Sequence, residues 1–264
     1  MKSATINEEV PSVFDSLKAQ TKRPYELKDA VNQRKIAALD WIRRYGFSFP
    51  TIIDQIDGGK TKKLTEKIIR DSFVKKTKVF APYQTEDAPK YFLTLTLNGL
   101  RLINQINDYF FDYKEIKRKI KLDEIPHSFI TQNLTINALN AHKIKNFITE
   151  KEIGRSSEPN KKEPDCIWVI ETGKKVGLEV ELSRKNGNRL GHFVYGCLKA
   201  IKENELDYIL IFGIKDNLLK TYQSAFEPGK IFHEYEMSGR DNYLKGREFQ
   251  IDQFFAGRVV CVKY

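Results

Sequence analysis

The segment 164-PDCIWVIETGKKVGLEVELSRKN-186 constrains the fold more than any other stretch, because two apolar runs flank Thr172-Gly173-Lys174 and read as two strands joined by a turn. Successive side chains of a strand point to opposite faces. Glu179, Glu181 and Ser183 therefore share one side of the second strand, and Leu178, Val180 and Leu182 share the other. Asp165 opens the first strand. Carboxylates side by side repel one another unless something positive stands between them. Three of them converging at a sheet end suit a hard divalent cation, Mg²⁺ or Mn²⁺, which would relieve the repulsion, acidify a bound water and neutralise charge developing on a scissile phosphate. Asp165, Glu179 and Glu181 are the candidate ligands. Lys185, two alternations beyond Glu181, returns an amine to the site if the strand continues that far. Structural alternatives stand beside these roles: Asp165 as a turn cap after proline, and Glu181 as a salt-bridge residue.

The surrounding patterns predict two domains. Helical spacing over 127–144, a strand near 147–154, a charged loop over 155–163, a helix over 189–203, a buried strand over 208–213 and a last strand over 258–264 make an α/β order with a mixed sheet, residues 127–264. Ahead of it, Ile36, Leu39, Trp41 and Ile42 space a helix over 30–45 that Gly46 stops. Ser48 and Pro50 read as the cap and first turn of a short helix to Ile56, ended by Gly58-Gly59, and a third helix runs from Thr61 to about Lys75. Strands over 77–83 and 91–97 then flank a polar tip at 84–90. Three helices followed by a hairpin is the order of a winged helix, residues 30–113. A long helix from Leu100 to Leu122, ended by Pro126, supplies a connector at 114–126, and residues 1–29 form a flexible polar tail.

Charge directs attention to the third helix. The chain carries a formal net charge of +10, and 60–78 holds eight basic residues against two acids. In a helix-turn-helix unit that helix enters the major groove, and lysines around it neutralise phosphates. Lys60, Lys62, Lys63, Lys67 and Arg70, with Lys90 beside the hairpin tip, are the candidate DNA contacts; the structural alternative is a solvated amphipathic face.

Other classes lose support. The three cysteines are far apart, with no CxxC pair, and read as reduced core thiols. No run approaches the roughly 18 apolar residues of a membrane span, and the first residues lack a signal peptide's apolar centre, so a cytoplasmic protein is expected.

Pro164-Asp165, a spacer of thirteen residues and Glu179-x-Glu181 resemble the PD-(D/E)XK motif of restriction-endonuclease-like nucleases, with Glu181 where the motif's lysine stands. In order along the chain, 93-LTLTLNGLRLI-103, 127-HSFITQNLTINAL-139, 150-EKEIGR-155 and the PD and EVELSRK strands look like the replication-relaxation family, which includes MobC-type plasmid mobilisation relaxases. That resemblance spans about residues 33–215. It implies a winged-helix domain that recognises double-stranded DNA at a plasmid or mobile-element origin, and a nuclease-like domain that cuts one strand with Mg²⁺ or Mn²⁺. The implied partners are that DNA, an accessory mobilisation protein and a coupling protein, without membrane insertion. A non-catalytic initiator or regulator with a degenerate nuclease domain is the alternative, and a cleavage subunit of a transposition system is a third. The common relaxase pattern of clustered histidines has no counterpart, since His127, His142, His192 and His233 are all far apart in the chain. Glu150 falls where a family acid lies and also reads as a surface acid; His127 reads as a helix-start or packing residue.

Overall fold

A computed structural model describes residues 30–56, 63–79, 89–107, 113, 120–121, 124–154, 163–237 and 243–264. It is a mixed α/β structure in two compact units, the first within Met1–Val79 and Lys90–Lys119, the second mostly within Ile120–Tyr264. The expected tail at 1–29, the connector residues 114–119 and the loop at 155–162 lie outside the described residues.

In the first unit, helix α1 (Ala30–Tyr45) buries Leu39 and Ile42 completely, as the spacing predicts. It stops at Gly46, whose φ of 84° is left-handed and open to glycine without strain. Ser48 departs from expectation. It exchanges backbone bonds with Leu93 at 3.0 and 2.8 Å, so Phe49 takes the cap position of α2 (Pro50–Ile53).

Helix α3 (Leu64–Arg70) is shorter than the Thr61–Lys75 predicted. Asp54 caps its start by accepting from the Thr65 N–H at 3.0 Å. Ser72, at a φ of 58°, turns the chain out of the helix, and Thr96 donates its N–H to the Phe73 carbonyl at 3.0 Å. The chain then enters β1 (Val74–Lys78), which pairs antiparallel with β2 (Tyr91–Leu95). Helix α4 (Leu97–Asn107) takes in Asn98-Gly99, which sequence placed before a helix. It does not run through to Leu122, because Tyr113 is non-helical. The Tyr113 hydroxyl donates to the Gly46 carbonyl and accepts from the Leu95 N–H at 3.2 Å, tying the end of α1 to the hairpin.

A Cβ at Gly99 would stand 2.2 Å from the Phe73 carbonyl oxygen, where only backbone movement relieves the clash. Gly99→Ala is therefore expected to destabilise this unit by about 3 kcal/mol. Denaturant titration checks this, and a loss no larger than for an ordinary helix-surface alanine would contradict the close approach.

The second unit begins with α5 (Glu124–Asn140). Pro126 is the third residue of this helix, where it was expected to end the preceding one. In a first turn its missing N–H is not needed, which is why proline is tolerated there. Strand β3 (Asn146–Thr149) is shorter than expected, because Thr149 and Glu152 form a capping box that opens α6 (Glu150–Ile153). Strands β4 (Cys166–Val169) and β5 (Lys175–Glu181) form the expected pair. Helix α7 (Gly187–Lys202) crosses to β6 (Tyr208–Gly213), helix α8 (Asp216–Ala225) follows, and β9 (Val259–Lys263) closes the sheet. Sequence left α8 unassigned, together with the hairpin of β7 (Ile231–Met237) and β8 (Tyr243–Gln250), which packs on α7.

The sheet order is β3-β4-β5-β6-β9, antiparallel from β3 to β5 and parallel from β5 to β9. On one face Leu178 lies opposite Cys166, and the Trp168 indole N–H donates to Thr135 of α5 at 3.0 Å. On the other, Ile209 and Ile211 pack into a core with Phe193 and Val194 of α7 and Leu218 and Tyr222 of α8. Glu179 and Glu181 lie on this second face, beside Ile211 and Gly213. Among the described residues no helix is long and apolar enough to cross a membrane.

Candidate functional site

Asp165 and Glu179 come together because the β4–β5 register, with Cys166 opposite Leu178, carries one residue further. The Asp165 N–H donates to the Leu178 carbonyl at 3.0 Å, and the Val180 N–H donates to Asp165 Oδ2 at 2.7 Å. Asp165 is thus pinned to the neighbouring strand by backbone and side chain alike. Glu179 and Glu181 follow at the C-terminal end of the β5–β6 parallel pair, 3% and 5% exposed. Buried carboxylates need compensating charge. The chain supplies it at both ends of the row.

At one end stands His127, in the first turn of α5, its Nε2 3.0 Å from Asp165 Oδ2. Burial alone would lower the imidazole pKa. The hydrogen bond to Asp165 and that acid's charge, aided by Glu179 and Glu150, outweigh burial and push the pKa up to about 9. At the other end Lys185 donates its amine to Glu181 Oε1, and the Tyr222 hydroxyl donates to Oε2 at 3.0 Å. Burial, then the charge of Glu181, raises the Tyr222 pKa above the ordinary phenol range, so the hydroxyl keeps its proton and donates. The amine arrives by a different route from the one predicted: β5 ends at Glu181, Leu182 is outside the strand, and the chain bends to bring Lys185 back.

Among the described residues, no group of three or more His, Cys, Asp and Glu side chains forms a ready metal cluster. The donor chemistry separates the three candidate acids. Asp165 and Glu179 are adjacent carboxylates on neighbouring strands and fit a hard divalent cation. Glu181, with one oxygen on Lys185 and the other on Tyr222, is already neutralised and does not fit as a third ligand.

Two residues of this site escaped sequence reasoning. His127 was read as a helix-start or packing residue, and it does stand at a helix start, but nothing in a chain of letters links it to Asp165 across 37 intervening positions. Tyr222 lay in an unassigned stretch, although Leu218, Leu219, Tyr222 and Ala225 have helical spacing and are all buried in α8.

The His127 pair has a pH signature. A group whose folded pKa is raised contributes its full stability below its unfolded pKa and loses it as pH rises through the folded value. In the presence of a chelator, stability should therefore fall between about pH 6.5 and about pH 9. His127→Gln should flatten this limb in urea titrations across the range, and an unchanged limb would discount the pair.

The first unit carries a separate feature. Three of its described acids are engaged internally: Asp40 with Arg43 at 2.6 Å, Asp71 with Lys35 at 2.7 Å, and Asp54 as the α3 cap. The hydrogen bond from Lys35 holds the Asp71 carboxyl below its ordinary pKa. Helix α3 buries Leu64, Thr65 and Ile68 and turns Lys63, Glu66 and Arg70 outward, with Lys67 half-buried. Lys75 and Lys76, predicted at or just past the end of a helix, lie exposed on β1 with Lys78, which was expected on a strand, and Lys90 is exposed before β2. None of Lys63, Lys67, Arg70, Lys75, Lys76, Lys78 and Lys90 makes an ion pair among the described residues. Lys60 and Lys62 lie outside them.

No protein-family model, no curated protein and no solved structure matches the chain.

Proposed function

We propose that the protein binds double-stranded DNA through its first unit, a winged helix, and nicks one strand at a nuclease-like site in its second, as a relaxase-like endonuclease of a plasmid or mobile-element origin. One observation carries the catalytic part: the Asp165–Glu179 carboxylate pair and the Lys185 amine stand at the same end of one sheet. Asp165 and Glu179 are the residues that would hold Mg²⁺ or Mn²⁺. Such a cation supplies an acidified water and charge neutralisation at a phosphate. His127 orients Asp165, and Lys185 offers a fixed positive charge to a phosphate oxygen. The basic side chains of α3 and β1, which make no ion pair among the described residues, support polyanion binding by the first unit.

A second reading has its own support. His127 and Lys185 already balance Asp165 and Glu181, as would suit a nuclease fold retained for assembly in a non-catalytic initiator or regulator. Incubation with supercoiled plasmid carrying the chain's own origin, with Mn²⁺ or Mg²⁺ and with or without chelator, separates the two. Open circles that form with metal and disappear with chelator are expected. Retarded but uncut DNA under every condition would establish the second reading.

A further inference from the structure

We propose that Tyr222, on α8, is the positioning residue for the Lys185 amine, an inference that rests on the nuclease reading and adds the element that aims its cation. A lysine four residues beyond the end of a strand has a long flexible stem and no sheet to direct it. Its amine is useful to a reaction only if held at one place, because positioning converts a diffusing charge into a local one.

Tyr222 removes that freedom at two points. Its hydroxyl donates to Glu181 Oε2 at 3.0 Å and accepts the Lys185 backbone N–H at 3.4 Å. One phenol therefore fixes both the acid that receives the amine and the backbone that carries it. The amine in turn donates to Glu181 Oε1 and lies 4.5 Å from the Phe193 ring centroid and 5.9 Å from that of Tyr222. Ring faces attract a cation without consuming its hydrogen-bond donors. Tyr222 is wholly buried and edge-on to Phe193 at 5.4 Å, so the clamp is anchored in the core. Lys185 keeps 19% of its side chain exposed, and among the described residues Glu181 is its one side-chain acceptor. An ammonium has three donors. Those left over suit an anionic oxygen, here a non-bridging oxygen of a DNA phosphodiester. Stability alone would be served as well by apolar packing in place of the buried pair.

The full-length protein tests this with Tyr222→Phe, which keeps the ring and loses the hydroxyl, and Phe193→Leu, which keeps the hydroxyl and loses the ring beneath the amine. The first readout is the rate at which a limiting amine-acetylating reagent modifies Lys185, followed by mass spectrometry. The second is Mn²⁺-dependent nicking of supercoiled plasmid. Tyr222→Phe should raise the labelling rate several-fold and lower kcat about tenfold or more, as loss of a hydrogen bond to a charged group does. KM should change little. In a Lys185→Met background the same substitution should have no further effect on kcat, because Tyr222 acts through Lys185. A full additional loss in that background, or an unchanged labelling rate in both single variants, would overturn the assignment. If the wild-type protein nicks nothing, the nuclease reading fails on its own account and the labelling rates alone decide whether Tyr222 holds the amine.

Discussion

Glu179→Gln is expected to abolish the gain in thermal stability that Mn²⁺ confers on the wild-type protein, and to lower nicking by about 100-fold or more, the upper range for losing a group that only supports a ligand. A cation present at about 100 times its dissociation constant stabilises the folded state by about 2.7 kcal/mol. For a unit of this size that is a rise in Tm of about 5–10 °C. The variant keeps the shape of the side chain and one carbonyl oxygen but loses the charge. Without metal it should unfold at the wild-type temperature or slightly above, because a buried acid beside Asp165 and Glu181 has been neutralised. A structural salt-bridge acid would behave in the opposite way, destabilising the metal-free protein when removed. Thermal scans of both proteins with Mn²⁺ and with chelator decide the matter. Equal Mn²⁺ shifts in the two, or no shift in either, would sink the metal site and leave the non-catalytic reading.

The second large effect concerns DNA affinity. Replacing Lys63, Lys67 and Arg70 with alanine should weaken binding and reduce the slope of log affinity against log salt by about 0.9 for each phosphate no longer neutralised. Between 50 and 200 mM salt that amounts to roughly a 40-fold change if all three side chains reach phosphates. The expectation rests on charge accounting within the first unit. Asp40, Asp54 and Asp71 are engaged by Arg43, the Thr65 N–H and Lys35, which leaves Glu66 as the acid on the outer face of α3. Adding Lys75, Lys76 and Lys78 to the substitutions separates strand from helix. A slope that falls only with the β1 lysines would move the DNA-binding face from α3 to the hairpin, and a slope that never changes would show a merely solvated face.

What the chain determined by itself is what local periodicity encodes. The helix over Ala30–Tyr45, the strand pair around Thr172-Gly173, the helix of Gly187–Lys202 and the strand Tyr208–Gly213 all follow from apolar spacing and turn residues within windows of a few turns or alternations. Glu179 and Glu181 on one face of β5 follow from the same rule. Tertiary structure decided what depends on partners distant in sequence. Pro126 stands in the first turn of a helix although proline equally signals an end, and Ser48 is drawn from a cap into a bridge by Leu93. Helix α3 stops at Arg70 because Phe73 is held by Thr96 in the hairpin, an interaction invisible in the Lys-rich letters around it. The site shows the same division most sharply. Alternation sets the acids side by side, but a carboxylate's behaviour depends on which charges stand within a few ångströms. His127 reaches Asp165 from α5, and Tyr222 reaches Glu181 from α8. Coulombic and hydrogen-bond energies fall off with distance in space and take no account of separation along the chain, so Lys185, four residues from Glu181, was legible in the sequence, whereas His127 and Tyr222 came into view only when the chain was folded.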